Sequence, residues 1–223
     1  MASFMIHLAA ANEYLKNHDI DNKEDFILGV LAVDLAQDRI KSHYTKYTDK
    51  TDLLKFLSGK VSLEDYLHEN NVDTDYDKGI FFHLITDYEF YTNFLNKEKI
   101  ERLDYTTFKE YIYHDYESVN NHVKSKYGVI LPEKIKKYDI SNGDDNCYLI
   151  DRNELDIFIT SLGCISLDDY MNTKVERKNL IWYTKWNYNL STTILYLMVQ
   201  KELKLDFLMK KDNKLRLGIL SNF

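Results

Sequence analysis

Proline is almost missing from this 223-residue chain: Pro132 is the only one, beside seven glycines and two cysteines. Proline this scarce removes the commonest helix breaker, and a chain of this length built from turns and sandwiches normally carries more of both proline and glycine. The bias is toward helices. Two cysteines, Cys147 and Cys164, make neither a disulfide framework nor a Cys-x-x-Cys ligand pair. Both are expected to be reduced residues of the core or the near surface. No run reaches the ~18 apolar residues that a spanning helix needs. The amino-terminal stretch shows no basic leader and no small-residue cleavage site, so no transmembrane segment and a cytoplasmic address are expected. Positive charge is in deficit, 29 Lys and Arg against 36 Asp and Glu, for a net charge of -7. That balance repels a phosphate backbone and disfavours long nucleic acid as a partner. The short basic runs, residues 134–137 and the pair Lys210 and Lys211, read as solvated surface. No Ser/Gly-rich or repetitive linker divides the chain, and a single domain over 1–223 is the expectation.

What the chain does have is hydrophobic residues at 44% against 29% charged, an ordinary balance for a folded core, with 18 tyrosines and 11 phenylalanines. Helical spacing of Phe4, Leu8, Ala11 and Leu15 behind Ser3 predicts a first helix over 3–17, with His7 facing inward. A second is predicted over 24–41, where Gly29 is a weak point or a place of close packing and Asp34 sits among apolar neighbours. Short helices follow at 52–57 and, behind Ser62, at 63–69. The sequence Thr74-Asp-Tyr-Asp77 forms a capping box before the most apolar segment, 78–95, which reads as a central, buried helix. Further helices are predicted at 105–127, ended by Gly128, and at 154–164, 167–172, 180–187 and 192–203. Residues 130–147 read as loop or short helix with a turn at 142–145; the last twenty residues carry no assignment. The fold class is all-α.

Chemistry enters where polar residues interrupt this apolar pattern. His83 and Asp87 are four residues apart, so both leave one face of the central helix. A buried carboxylate is costly unless it is paired or coordinates a metal, and a histidine one turn away supplies a nitrogen ligand. A buried His-Asp hydrogen bond that only fixes helix packing is the alternative. His7 and Asp34 interrupt their helices in the same way, and His43 follows nine residues after Asp34. Three histidines and two aspartates suffice for one zinc, with a position left open for water, or for two zincs sharing a carboxylate. Asp34 is the candidate for orienting that water, although a metal ligand cannot serve freely as a base. Phe81, Phe82, Tyr88 and Tyr91 are either an apolar rim or aromatic core. His114 and Asp115 are a candidate extra ligand or substrate contact, and His122 lies two turns on; His18 and His68 read as solvated.

The order of M-I-H-L-A-A-A, F-I-L-G-V-L-A-V-D-L, K-S-H-Y and G-I-F-F-H-L-I-T-D-Y-E-F-Y resembles the bacterial zinc-dependent phospholipase C family, over roughly residues 4 to 127. The resemblance implies a helical metallohydrolase in which His43 and His83 bind one metal with Asp34 and Asp87, while Asp87 reaches a second metal beside His7. It implies a phosphodiesterase acting on a small phosphate ester or a phospholipid head group. Val33 stands where the family usually has proline before the first aspartate. The N-terminal tryptophan and the later His/His/Glu set of three-zinc members have no counterpart. Two other readings stay open. An HD-type phosphohydrolase would use His83 with the His114-Asp115 pair, leaving His7, Asp34 and His43 without a role. A non-catalytic helical binding module would keep the metal for stability alone.

Overall fold

Short polar side chains start every helix described below, and each accepts a hydrogen bond from a first-turn backbone N–H, which would otherwise be orphaned. The computed structural model describes residues 2–129, 144 and 146–173. The α-helices named among the described residues are α1 (Phe4–Asn17), α2 (Lys23–Leu35), α3 (Arg39–Ser42), α4 (Leu53–Ser58), α5 (Leu63–Glu69), α6 (Asp75–Glu89), α7 (Lys97–Ile100), α8 (Tyr105–Tyr127) and α9 (Arg152–Leu162). Their caps are Ser3, Asn22, Asp38, Asp52, Ser62, Thr74, Asn96, Asp104 and Asp151. Residues 167–173 are helical as well, and no strand occurs among the described residues. The fold is all-α. These residues belong to one compact unit, Met1–Lys174. Pro132, both basic runs, most of the 142–145 turn, the helices expected at 180–187 and 192–203 and the rest of the expected single domain lie outside the described residues.

Two expected helices break. The segment expected as 24–41 stops at Leu35, because Ala36 turns extended and Asp38 then caps a separate short helix through the N–H of Lys41. The segment expected as 78–95 starts earlier, behind a complete Thr74/Asp77 capping box, and its last turn, Phe90–Phe94, is wound as a π-helix. Helix α7 was not expected. By contrast α8 runs over the predicted residues and ends where Gly128 takes a left-handed φ of 65°.

The contact between α2 and α6 sets the site. A Cβ on Gly29 would lie 2.1 Å from the carbonyl oxygen of Tyr76, and one on Gly79 would lie 2.1 Å from that of Phe26. Only glycine at both positions lets the two backbones touch. Phe81, Phe82, Leu84 and Ile85 of α6 are fully buried, Phe81 stacking on Tyr66 and Phe82 packing on Tyr14 and Phe26. Burial of each such side chain stabilises the fold by roughly 1.5–3 kcal/mol. These two phenylalanines are core, not a rim around the site, and Tyr91 is buried with them.

Candidate metal centre

Gly79, His83 and Asp87 stand one turn apart along α6, so the stripe that touches α2 at its first member carries the two polar residues further along. The structure brings all five expected residues together. His7 of α1, Asp34 of α2, His43 after α3, and His83 and Asp87 of α6 are all buried, and none is more than 4% exposed.

Two imidazoles have their tautomers set by backbone carbonyls, which can only accept. Nδ1 of His83 donates to the carbonyl of Val30 at 2.7 Å, and Nδ1 of His43 donates to that of Arg39 at 2.9 Å. The hydroxyl of Ser42 donates to the Val33 carbonyl at 2.9 Å and presents its oxygen to the same Nδ1 at 3.0 Å. In its neutral form each ring is therefore left with a bare Nε2 lone pair, and the two Nε2 atoms face each other at 3.4 Å. Two carboxylate oxygens join them. His43 Nε2 lies 3.6 Å from Asp34 Oδ1 and 3.4 Å from Asp87 Oδ2, and His83 Nε2 lies 3.6 Å from Asp87 Oδ2.

Lone pairs and carboxylate oxygens aimed at one another in a buried space repel unless a metal ion or a proton lies between them. Asp34 Oδ1 and Asp87 Oδ2 have no hydrogen-bond partner. A tetrahedron whose arms are ~2.0–2.2 Å, the reach of zinc to nitrogen and carboxylate oxygen, has edges of roughly 3.3–3.6 Å. The four distances above are of that order, and imidazole nitrogen and carboxylate oxygen are donors that a divalent metal ion accepts. Buried His/Asp groups are thus positioned to hold a metal ion.

A second group overlaps the first. The ring of His7 stacks on that of His83 at 3.8 Å, and its Nε2 approaches Asp87 Oδ1 at 3.3 Å without hydrogen-bond geometry. That same Oδ1 accepts the backbone N–H of Ala2 at 2.7 Å. Asp87 thus turns one oxygen toward each group, and His7, His83 and Asp87 form a ligand set of their own.

Electrostatics of the metal-free protein follow from this crowding. Burial alone would lower the pKa of His43, but the adjacent carboxylates of Asp34 and Asp87 outweigh it and raise the ring to about 9, so without metal a proton on Nε2 takes the place of the cation at neutral pH. Burial likewise opposes ionisation of Asp34 and Asp87, yet the surrounding histidines hold both below the usual carboxylate range, Asp87 well below it. His7, with burial and its neighbour His83 both against a charge, is lowered.

His114 and Asp115 join neither group. The carboxylate of Asp115 is filled by the backbone N–H groups of Tyr148, Leu149 and Ile150 at 2.6–2.8 Å, and His114 lies 3.4 Å from Asp144. His122 pairs with Asp156 at 2.9 Å. His68 is exposed as expected, whereas His18 is not solvated: it is half-buried and its ring stacks on Tyr14 at 4.0 Å. Both cysteines are free, Cys147 half-buried and Cys164 exposed. Sequence reasoning missed the groups that hold the ligands, namely Ser42 and the carbonyls of Val30 and Arg39. Of these only Ser42, adjacent to His43 in K-S-H-Y, carried any signal.

Comparison with protein-family models, with curated proteins and with solved structures finds no match to this chain. No described helix is long and apolar enough to cross a membrane.

Proposed function

We propose that this chain is a zinc-dependent hydrolase of phosphate esters, similar in its site to the zinc-dependent phospholipases C. The observation that supports it is the convergence of two Nε2 atoms and two carboxylate oxygens without hydrogen-bond partners, each carboxylate oxygen within 3.6 Å of an Nε2. A zinc ion held there would act as a Lewis acid on a phosphoryl oxygen and lower the pKa of a bound water toward ~7. His43 and His83 are held in the ligating tautomer by backbone carbonyls that do not titrate. Asp34, at 4% the most exposed of the five residues, is assigned to orienting the attacking water. Asp87 ties the pair to His7, where a second ion would sit.

One observation favours a second reading, a non-catalytic helical module that keeps the metal for stability: His7, His83 and Asp87 are wholly buried. Zinc reconstitution followed by elemental analysis, then assay on bis-p-nitrophenyl phosphate, p-nitrophenyl phosphate and short-chain phosphatidylcholine, separates the two. Stoichiometric zinc with turnover of one of these esters is the expected result. Bound zinc with no turnover leaves the structural module, and no bound zinc ends both readings.

A further inference from the structure

Asp115 takes no part in the metal centre, yet it builds the wall of another cavity. Its fully buried carboxylate on α8 accepts three consecutive backbone N–H groups, from Tyr148 at 2.7 Å, Leu149 at 2.6 Å and Ile150 at 2.8 Å. Hydrogen bonds to a carboxylate are roughly twice as strong as neutral ones, and three in a row pin this stretch of chain to α8. The ring of Tyr148 is thereby laid on that of Tyr111 from α8, with centroids 4.2 Å apart and planes 9° from parallel, and the His114 ring packs T-shaped against it at 5.1 Å. Tyr148 nevertheless stays 50% exposed.

The stacked pair lines a cavity of about 480 Å³ together with Lys99, Arg102, Leu103 and Leu149, and none of the five clustered histidines and aspartates borders it. That volume lies within the ~300–1,000 Å³ of pockets that enclose a small organic ligand. Lys99 reaches across from α7, its Nζ donating to the Tyr148 carbonyl at 3.4 Å, and an ammonium has further donors to give. Arg102, just past the end of α7, is exposed and makes no ion pair or hydrogen bond with a described residue. Glu98 is the one carboxylate of the lining, so cations outnumber anions there two to one, in a chain whose net charge is -7.

An unpaired guanidinium matches the oxygens of a phosphate, and aromatic faces take up a flat ring by stacking. We propose that this cavity binds a mononucleotide, a flat aromatic base joined to a phosphate: the base stacks on the Tyr111/Tyr148 pair, and Arg102 and Lys99 hold the phosphate. Leu103 and Leu149 add apolar contact for the ring. A bare inorganic anion would leave the stacked pair uncovered, and an uncharged aromatic would leave the guanidinium unmatched. The net charge of the chain turns away a polynucleotide. The site shares no residue with the metal centre and does not depend on the phosphate-ester reading above.

The test uses the full chain with zinc added, read by isothermal titration calorimetry. The probe is the methylenephosphonate analogue of AMP, in which carbon replaces the ester oxygen so that no phosphoesterase cleaves it; adenosine and inorganic phosphate are titrated in parallel. Wild type is expected to bind the analogue more tightly than either fragment. Tyr148→Ala is expected to weaken it about 5- to 150-fold, the gain of one base on one aromatic platform, and Arg102→Met about 10- to 100-fold, the loss of hydrogen bonds to a charged group. Both side chains are exposed, so the helical content and the zinc content are expected to stay as in wild type. Tyr148→Phe keeps the ring and is expected to bind as wild type, as is Lys109→Met, which removes an exposed cation of α8 outside the cavity. Wild-type affinity in both Tyr148→Ala and Arg102→Met overturns the proposal and moves the nucleotide elsewhere, the metal centre included. So does adenosine or inorganic phosphate binding as tightly as the analogue, or a wild type that does not bind the analogue, results that need no variant to fold. Failure of every ester assay with this binding intact ends the hydrolase reading alone.

Discussion

Two of the places where histidine and aspartate meet among the described residues differ in whether a cation is called for. Between α8 and α9, Asp156 accepts from His122 Nε2 at 2.9 Å, from Lys126 Nζ at 2.6 Å and from the Tyr127 hydroxyl at 2.8 Å. Every oxygen there has a donor. Between α1, α2 and α6 the same residue types leave lone pairs facing lone pairs, with Asp34 Oδ1 and Asp87 Oδ2 unpartnered. Proximity of His and Asp is therefore not the signal of a metal site. The signal is a set of acceptors whose only donors are turned away to fix the tautomer.

The largest effect should come from removing a ligand on one side of this comparison. Asp87→Ala deletes the one carboxylate shared by both groups, and the zinc Kd is expected to rise more than about 100-fold, beyond what loss of an outer-shell partner costs. Elemental analysis after gel filtration reads this directly, and the thermal shift on adding zinc should vanish. Asp156→Ala in the same assay should retain its zinc; loss of metal there would erase the distinction between the two clusters.

Next in size is Asp115, whose fully buried carboxylate accepts three backbone N–H groups. Asp115→Ala leaves those donors unsatisfied and is expected to cost roughly 3 kcal/mol or more in urea denaturation, with zinc content per folded protein unchanged. An HD-type site would instead lose its metal with Asp115 or His114.

The pH response sharpens the contrast further. His43 has a folded pKa of about 9, above its ordinary 6.5, so it stabilises the metal-free protein below pH 6.5, and that contribution is lost as pH rises through about 9. His7 is shifted down, so it disfavours the fold once pH falls below 6.5. The metal-free chain should therefore have its highest Tm near pH 6.5 and lose stability toward pH 9. Zinc displaces the His43 proton, so its affinity should climb over the same interval. Melting curves with chelator and with zinc at pH 6.5, 7.5 and 9 check both signs, and parallel curves would show that His43 does not hold the proton.

Much of this was legible in the chain. The caps, the full length of α8 and its stop at Gly128 follow from local rules that depend on a few neighbouring residues. His83 and Asp87 were legible because helical spacing puts both on one face of an apolar segment, and His7 and Asp34 because each breaks an apolar pattern. The stop of α2 at Leu35 was not, since no proline or glycine marks it and the decision lies in the Asp38 cap. The π-helical turn at Phe90–Phe94 was hidden too, because its residues suit either winding.

The smallest predicted effect tests the outer support of the ligands. Ser42 bridges the end of α2 to His43, donating to the Val33 carbonyl and accepting from His43 Nδ1. In Ser42→Ala the Arg39 carbonyl still accepts from that Nδ1, so the tautomer survives and only the ring's lateral hold weakens. Zinc affinity should fall about 10-fold, the low end of what outer-shell partners contribute, and stability without metal by roughly 1 kcal/mol. A chelator competition titration measures the first and urea denaturation the second. The decisive comparison is with Tyr127→Phe in the satisfied cluster, which also removes one hydroxyl from a His/Asp network and should cost similar stability while leaving the zinc affinity where it was.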